Sequence, residues 1–487
     1  MSAMVQLTYQ TKLYYDGRFQ AARSGATFDV IDPSNEEILA RVAAAGEEDV
    51  DAAVRAAYRQ YSEGDWSRTP GGERSRLLLR LADLMERDKE IIASLESRDN
   101  GKLLGMVQGL DVPNAIETFR YFAGWADKLE GRTIPVGDMF GRPVLSYTIR
   151  EPLGVIGGIT AYNAPTMMVA WKAAAALAAG NTFVLKPAEE APLSSLYIAK
   201  LVDEAGFPPG VFNIVSGLGP VAGMALVRHP LVAKISYTGG GAVGRIIAGE
   251  AAKTLKPVTL ELGGKAPQVV MESADLASTI PMLVMGVVAN QGQICAAGTR
   301  ILVHRSRYKE VVDALAEGAK SQKLGNPADP TVTMGPLSTA RSVTRVMGYV
   351  EAGKAEGAKL VAGGTRNGGK GYFVQPTIFA GSNDMKIARE EIFGPVGTVI
   401  PFDNAEEAIK IANDTEYGLS AAIFTSSTAE ANLAARRIRA GAVWINAWGM
   451  IAPALPWGGV KASGYGRENG WNGIEDVTHE KVVTTIL

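Results

Sequence analysis

The chain carries a single cysteine, Cys295, among 487 residues, and only three histidines, His229, His304 and His479. One thiol can close no internal disulfide and build no thiolate metal cage, so Cys295 has to be explained by itself. The histidines are scattered without ligand spacing, so no metal site is expected. Long apolar runs are missing as well. The longest uncharged apolar stretch, Ile280 to Ala289, is about half the length of a membrane span and contains Pro281, so no membrane partner is expected.

An excess of charge of one sign is also lacking. Forty-nine Lys and Arg stand against 51 Asp and Glu, a net charge of -2, which leaves no field to hold nucleic acid or anionic lipid. The N-terminal stretch MSAMVQLTYQTKLYYDGRFQ has no basic start followed by an apolar segment. It does not read as a secretory signal, and a cytoplasmic location is expected. The 47% hydrophobic and 21% charged content is that of a globular chain, too long here for one core, so two or three domains are expected.

Periodicity divides the chain. From Glu47 to Tyr61 apolar residues recur at Val50, Val54, Ala57, Tyr58 and Tyr61 behind a cluster of acids, the signature of one helix face with a dipole-matched start. A second helix runs through Leu77, Leu78, Leu81, Leu84 and Met85. Beyond Gly131 the period falls to two: Val144, Ser146 and Thr148 alternate with Leu145, Tyr147 and Ile149, which predicts an exposed hairpin. From Gly154 to Val270 strands and helices alternate: VIGGIT, a helix through Trp171 and Ala178, NTFVLKP, Leu193 to Glu204, then FNIVSG. That order predicts a parallel sheet covered on both faces. RILVH, Tyr308 to Leu324, TVIPF, Ala405 to Asn413 and AVWIN repeat the style as a second α/β unit. The tail KVVTTIL is apolar and β-prone, an edge expected to pair, often with another subunit.

Glycines mark the candidate chemistry. In TGGGAVG, Gly239, Gly241 and Gly244 fit a G-x-G-x-x-G spacing between the strand AKISY and a helix starting near Ala242. Such a turn lets backbone N–H groups approach a dinucleotide phosphate at a helix start, and a tight strand-to-helix turn without ligand fits equally. GLGPVAG, Gly217 to Gly223, is a second glycine-rich turn after a strand, which favours a nucleotide. Glu261 lies seventeen residues beyond Gly244, about where a Rossmann ribose-binding acid is expected. Asn163 in YNAP fits a turn by spacing alone, and a lone thiol is more often a small buried hydrophobe than a nucleophile.

The block EPLGVIGGITAYNAPTMMVAWKAAAALAAGNTFVLKPAEEAPLSS, Glu151 to Ser195, resembles the aldehyde dehydrogenase superfamily. VTLELGGKAP around Glu261, NQGQICAAGTR around Cys295, EEIFGPV around Glu391 and PWGGVKASGYGRE up to Glu468 match in the same order, and the resemblance runs from about residue 12 onward. It implies NAD(P)-dependent oxidation of an aldehyde to the acid, with Cys295 as nucleophile and Glu261 as water-activating base. An aldehyde has no leaving group except hydride, so a thiolate must first make a tetrahedral adduct whose collapse expels it. The resemblance assigns Asn163, with the backbone N–H of Cys295, to the oxyanion. Lys172 and Glu468 match proton-relay positions, although a plain salt bridge would also explain them.

The implied cofactor is NAD, with NADP possible. Its contacts map onto Ile159, Thr160, Ala161, Tyr162, Lys186, Glu189, Gly219, Gly223, Thr238, Gly239, Gly240, Val243, Gly244, Leu262, Gly263, Glu391 and Phe393, with the ribose at Lys186 and Glu189 instead of Glu261. The substrate tunnel maps onto Met167, Met168, Trp171, Ile294, Ala296, Trp448, Ile451 and Trp457, which favours apolar or aromatic aldehydes. Trp171 and Trp457 would alternatively suit a quaternary ammonium, as in betaine aldehyde. Two departures stand out: Ala161, Tyr162 and Ala164 replace the family's usual residues around the asparagine, and Gly240 replaces a serine.

The fold expected is α/β: a Rossmann-type nucleotide-binding domain (1-130 and 151-260), an α/β catalytic domain (261-469) and a small β oligomerisation arm (131-150 and 470-487), giving a homodimer or homotetramer. Rival readings are a coenzyme A-acylating relative, which would generally lack the base at Glu261, and a catalytically retired member serving as a structural or binding protein.

Overall fold

A computed structural model describes residues 7–487; the first six residues of the N-terminal stretch lie outside the described residues. Two large sheets dominate. The first runs Arg18–Gln20, Leu13–Tyr15, Phe212–Ile214, Thr182–Lys186, Val155–Ile159, Val232–Thr238, Val258–Glu261, Gly464–Tyr465. From Phe212–Ile214 to Val258–Glu261 its strands are parallel. Taken in chain order, those five are arranged 3-2-1-4-5, the doubly wound order in which ligands bind where the connection direction reverses. Here that point lies between the C-terminal ends of Val155–Ile159 and Val232–Thr238.

The central strand Val155–Ile159 is buried throughout because helices cover both faces. The helix Pro165–Ala178 follows it, opened by Pro165, whose fixed φ and missing N–H suit the first turn. Its alanines let it lie close to the sheet, and it is buried almost all round.

The second sheet has the order Lys359–Ala362, Thr377–Ala380, Val396–Phe402, Arg300–His304, Pro267–Val270, Ser420–Phe424, Ala442–Ile445. These memberships move the expected boundaries. Glu261 closes a strand of the first sheet, in register with Thr238, and Gly464–Tyr465 returns to that sheet as its antiparallel edge. The helix Gly470–Asp476 packs against both the helix Pro165–Ala178 and the arm, where Arg150 pairs with Glu475 and lies over the Trp471 ring.

In the arm, Arg142–Pro152 pairs with Thr133–Ile134 and Asp138–Met139, as the period-two pattern predicts. The tail KVVTTIL pairs, as its composition predicts, and the partner on one side lies in its own chain: Thr478–Ile486 runs beside Arg142–Pro152 all the way from Thr478↔Pro152 to Ile486↔Val144. One edge of the tail strand is filled within the chain because the chain end returns beside the hairpin. Among the described residues the strand's other edge stays unpaired in the sheet order. Among the described residues no helix is long and apolar enough to cross a membrane.

Candidate active site

Cys295 stands at the joint between the two units. The helix Leu276–Val288 ends in a loop where Asn290 (φ 46°) and Gln291 (φ 56°) both adopt the left-handed conformation, which asparagine tolerates better than most residues. Two glycines of LELGG let this loop and Glu391 come close. A Cβ at Gly264 would lie 2.5 Å from the Cys295 carbonyl oxygen, and one at Gly263 only 1.9 Å from Glu391 Oε2. A third close fit sets Leu262 against Gly244 of the TGGGAVG turn. Motifs far apart in sequence are thus the walls of one joint.

The thiol is partly buried. Burial pushes it up to about 12, with the Glu261 and Glu391 carboxylates adding to the shift, while the N–H groups of Ala296 and Cys295 itself act in the opposite sense. Glu261 is buried with neither carboxylate oxygen hydrogen-bonded. Burial raises its pKa well above the ordinary value, and the nearby Glu468 charge raises it further. A desolvated carboxyl of this kind is a stronger base than one in water.

Asn163 is buried, and its Nδ2 donates to the Gln293 carbonyl at 2.9 Å, while Asn290 Nδ2 donates to the Asn163 carbonyl at 3.0 Å. The amide is therefore tied to the loop that carries Cys295, with its second N–H hydrogen left over for an oxyanion. Lys172 Nζ donates to Glu468 Oε1 at 2.6 Å and to Ser236 Oγ at 3.0 Å, and Ser236 Oγ donates to the same carboxylate at 2.9 Å. This is a buried, hydrogen-bonded ion pair beside Glu261. Breaking such a pair by removing one partner costs roughly 3–5 kcal/mol, so a single substitution there disturbs stability as well as any relay.

The proposed cofactor residues converge on the C-terminal ends of the parallel strands. Ile159 and Thr160 end one strand, Lys186 ends its neighbour with Glu189 just beyond, and Thr238 ends the strand across the switch point, followed by Gly239, Gly240, Val243 and Gly244. The glycine turn thus follows the fourth parallel strand, and the acid after the second is Glu189, the ribose position of a doubly wound sheet. Lys186 Nζ pairs with Glu189 Oε2. Burial tends to raise the Glu189 carboxyl, but the Lys186 ammonium and the Gly219 N–H outweigh it and hold the carboxyl below its usual range.

Gly219–Gly223, the second glycine-rich turn of the sequence, is a π-helical turn, whose i→i+5 bonding makes it wider than an α-helical one. Val221 in this turn and Val243 after the TGGGAVG glycines stay 44% and 47% exposed, apolar faces suited to a flat base. The hydroxyls of Thr160 and Thr238 are buried with no protein partner. These orphaned donors at the two strand ends fit a dinucleotide.

From the other unit, Glu391 accepts from the Gly264 N–H at 3.3 Å, and burial raises it to about 7. Phe393, itself left-handed at φ 52°, meets the Tyr162 ring edge-on at 5.9 Å, with the Arg345 guanidinium 5.8 Å from its centre.

Seven of the eight tunnel residues, Met167, Trp171, Ile294, Ala296, Trp448, Ile451 and Trp457, pack with Cys295 in one apolar cluster. Met168 is buried but lies outside it. Met167 and Trp171 are four apart on one helix face, whereas Met168 is turned about 100° away, toward the side that carries Lys172. Sequence reading missed Trp444, Met450 and Leu455, which with Trp171, Ile451 and Trp457 line a cavity of about 240 Å³. It also missed Ser236, Arg345 and Asn114, whose Oδ1 accepts from Trp171 Nε1 at 2.8 Å. Only Ser236 had a signal, standing two residues before Thr238 on the same strand face.

A doubly wound sheet whose strand ends face a thiol on a second α/β unit places the chain among the Rossmann-type α/β proteins with a separate thiol-bearing unit. The chain belongs to the aldehyde dehydrogenase family, whose profile matches residues 19–483. It is 46% identical to aldehyde dehydrogenase 1A1 of Homo sapiens over 97% of this chain and 94% of that one. An aldehyde dehydrogenase of Bacillus cereus, solved as its NAD+ complex, superposes with a TM-score of 0.96 at 45% identity, covering 98% of this chain and 96% of that one. Betaine aldehyde dehydrogenase of Staphylococcus aureus, in complex with NAD+, gives 0.95 at 36% identity, with 98% of each chain covered.

Proposed function

We propose that this protein oxidises an uncharged, bulky apolar or aromatic aldehyde to its carboxylic acid with NAD. The Cys295 thiolate adds to the carbonyl carbon, and Asn163 with the Cys295 N–H receives the developing oxyanion. NAD, when bound at the strand ends, supplies the acceptor for the hydride that leaves this adduct. The thioester left on Cys295 is hydrolysed by water whose proton Glu261 takes, and Lys172 and Glu468 hold charge beside it for the proton's departure. Lys186 and Glu189 hold the ribose, Glu391 and Phe393 the nicotinamide end. Glu261 also separates this reading from a thioester handed to coenzyme A.

The substrate class is carried by one observation: no residue lining the 240 Å³ cavity is charged. Burying an unpaired carboxylate there costs several kcal/mol. Trp171 and Trp457, 5.9 Å apart, and Trp444 stacked at 6.3 Å on Trp457 give it three aromatic walls. These would also attract a quaternary ammonium, but no carboxylate accompanies them.

An aldehyde panel run with both coenzymes tests this. Benzaldehyde or a long-chain aldehyde should exceed betaine aldehyde and a semialdehyde acid in kcat/KM, and NAD should exceed NADP because the paired Glu189 carboxylate repels a 2′-phosphate. A tenfold win for either charged substrate refutes the apolar pocket, and a preference for NADP refutes the role of Glu189.

The arm is proposed to join copies of this chain into a dimer or tetramer. Leu145, Ile149, Val482 and Ile486 expose apolar surface along it, beside an unpaired strand edge. Sedimentation should show an oligomer; a monomer at micromolar concentration would remove this assignment.

A further inference from the structure

We infer that Asn469 selects aldehydes bearing a neutral hydroxyl at the end remote from the carbonyl, an inference that rests on the proposed oxidation of aldehydes at Cys295. Asn469 is 1% exposed, lines the cavity with the three tryptophans, and its Oδ1 is buried without a hydrogen-bond partner. It precedes the helix Gly470–Asp476 at the N-cap position, where asparagine ordinarily caps, yet its side chain makes no capping bond. The local fold therefore gives this amide no task. A buried polar group without a partner is disfavoured unless something pairs with it.

The backbone prevents the side chain from seeking a partner elsewhere. Glu468 and Trp457 exchange two backbone hydrogen bonds, at 2.7 and 2.8 Å, and the Asn469 carbonyl accepts from Gly473 N–H at 2.9 Å. Asn469 itself is held at φ 60°. The polar tips of two walls are already used: Trp171 Nε1 donates to Asn114 and Trp444 Nε1 to the Met450 carbonyl at 2.9 Å. Those two indoles offer the cavity only carbon surface, so the polar groups of its lining side chains are the Asn469 amide and the Trp457 indole N–H, which makes no hydrogen bond among the described residues.

A hydroxyl suits such an amide because one atom both donates and accepts, so it pairs with either end of the amide. An ammonium would find no carboxylate in the lining, and a carboxylate no cation. The ligand implied has an apolar body for the indole faces and a neutral hydroxyl toward Asn469, with its carbonyl toward Cys295, which packs in the same apolar cluster as Trp171, Trp444, Ile451 and Trp457 of the lining. A site built for a hydroxyl discriminates against an analogue that lacks it more sharply than an apolar pocket discriminates by size.

The test compares pairs of equal size and similar carbonyl electronics: 3- and 4-(hydroxymethyl)benzaldehyde against 3- and 4-ethylbenzaldehyde. In at least one pair the wild-type enzyme should favour the hydroxymethyl compound by about tenfold or more in kcat/KM. Asn469→Gly removes the amide at a backbone conformation glycine accepts, and should bring that ratio to or below one. Asn469→Asp keeps the shape and leaves an acceptor, so a folded protein with a retained preference is expected there. A wild-type ratio near one in both pairs, or a ratio unchanged in Asn469→Gly, overturns the assignment while benzaldehyde oxidation leaves the parent reading intact. Failure to oxidise any aldehyde of the wider panel removes both.

Discussion

Replacing Cys295 with serine is expected to lower aldehyde turnover by more than about a thousandfold, because no other side chain in the chain can form the thioester. A serine hydroxyl is a weaker nucleophile than a thiolate and fits the same space, so the fold and cofactor affinity should hardly change. The pH dependence carries a second signature. Burial, with the Glu261 and Glu391 charges, places the thiol at about 12, so the thiolate fraction is small at neutral pH and grows as pH rises. Alkylation of the free enzyme by iodoacetamide should accelerate through the alkaline range without a plateau near pH 8. More than a few per cent of wild-type turnover in Cys295→Ser would show that the nucleophile is misassigned.

Glu261→Gln should separate the two halves of the reaction. The amide keeps the shape of a side chain whose carboxylate oxygens have no hydrogen-bond partner, so packing is preserved. It cannot take a proton from water. One equivalent of reduced cofactor per active site should appear in a burst, followed by a steady state slower by roughly 10²–10⁴-fold, the usual contribution of a general base. The substitution also removes a negative charge that raises the thiol, so alkylation of Cys295 should be faster at a given pH than in the wild type. Normal steady-state turnover without a burst would leave Glu261 with no part in hydrolysis.

The two residues were legible in different ways. Cys295 stood out by being single and by its NQGQIC setting. Glu261 admitted two roles, ribose acid or base, because seventeen residues after a glycine turn is near the Rossmann distance. Sheet order supports the second: the glycine turn follows the fourth parallel strand, and the acid just beyond the second strand, where a doubly wound sheet places its ribose acid, is Glu189 and not Glu261. Spacing along the chain cannot state which strand is which.

Motif order and strand–helix alternation by themselves determined the family, the α/β class and the residues that meet at the joint, since backbone periodicity and close-approach glycines are written locally. Tertiary structure alone decided where side chains point and what each one touches. Met167 and Met168 are neighbours in sequence, yet only one joins the cluster around Cys295, because a helix turns successive residues by about 100°. The tail KVVTTIL was legible as a strand that pairs, but that its partner on one side is Arg142–Pro152 depends on the chain end coming back beside the hairpin. Trp444 and Asn469 carried no motif. They line the cavity because a strand end of the second sheet and the N-terminus of a short helix meet there, and only long-range packing brings two such places together.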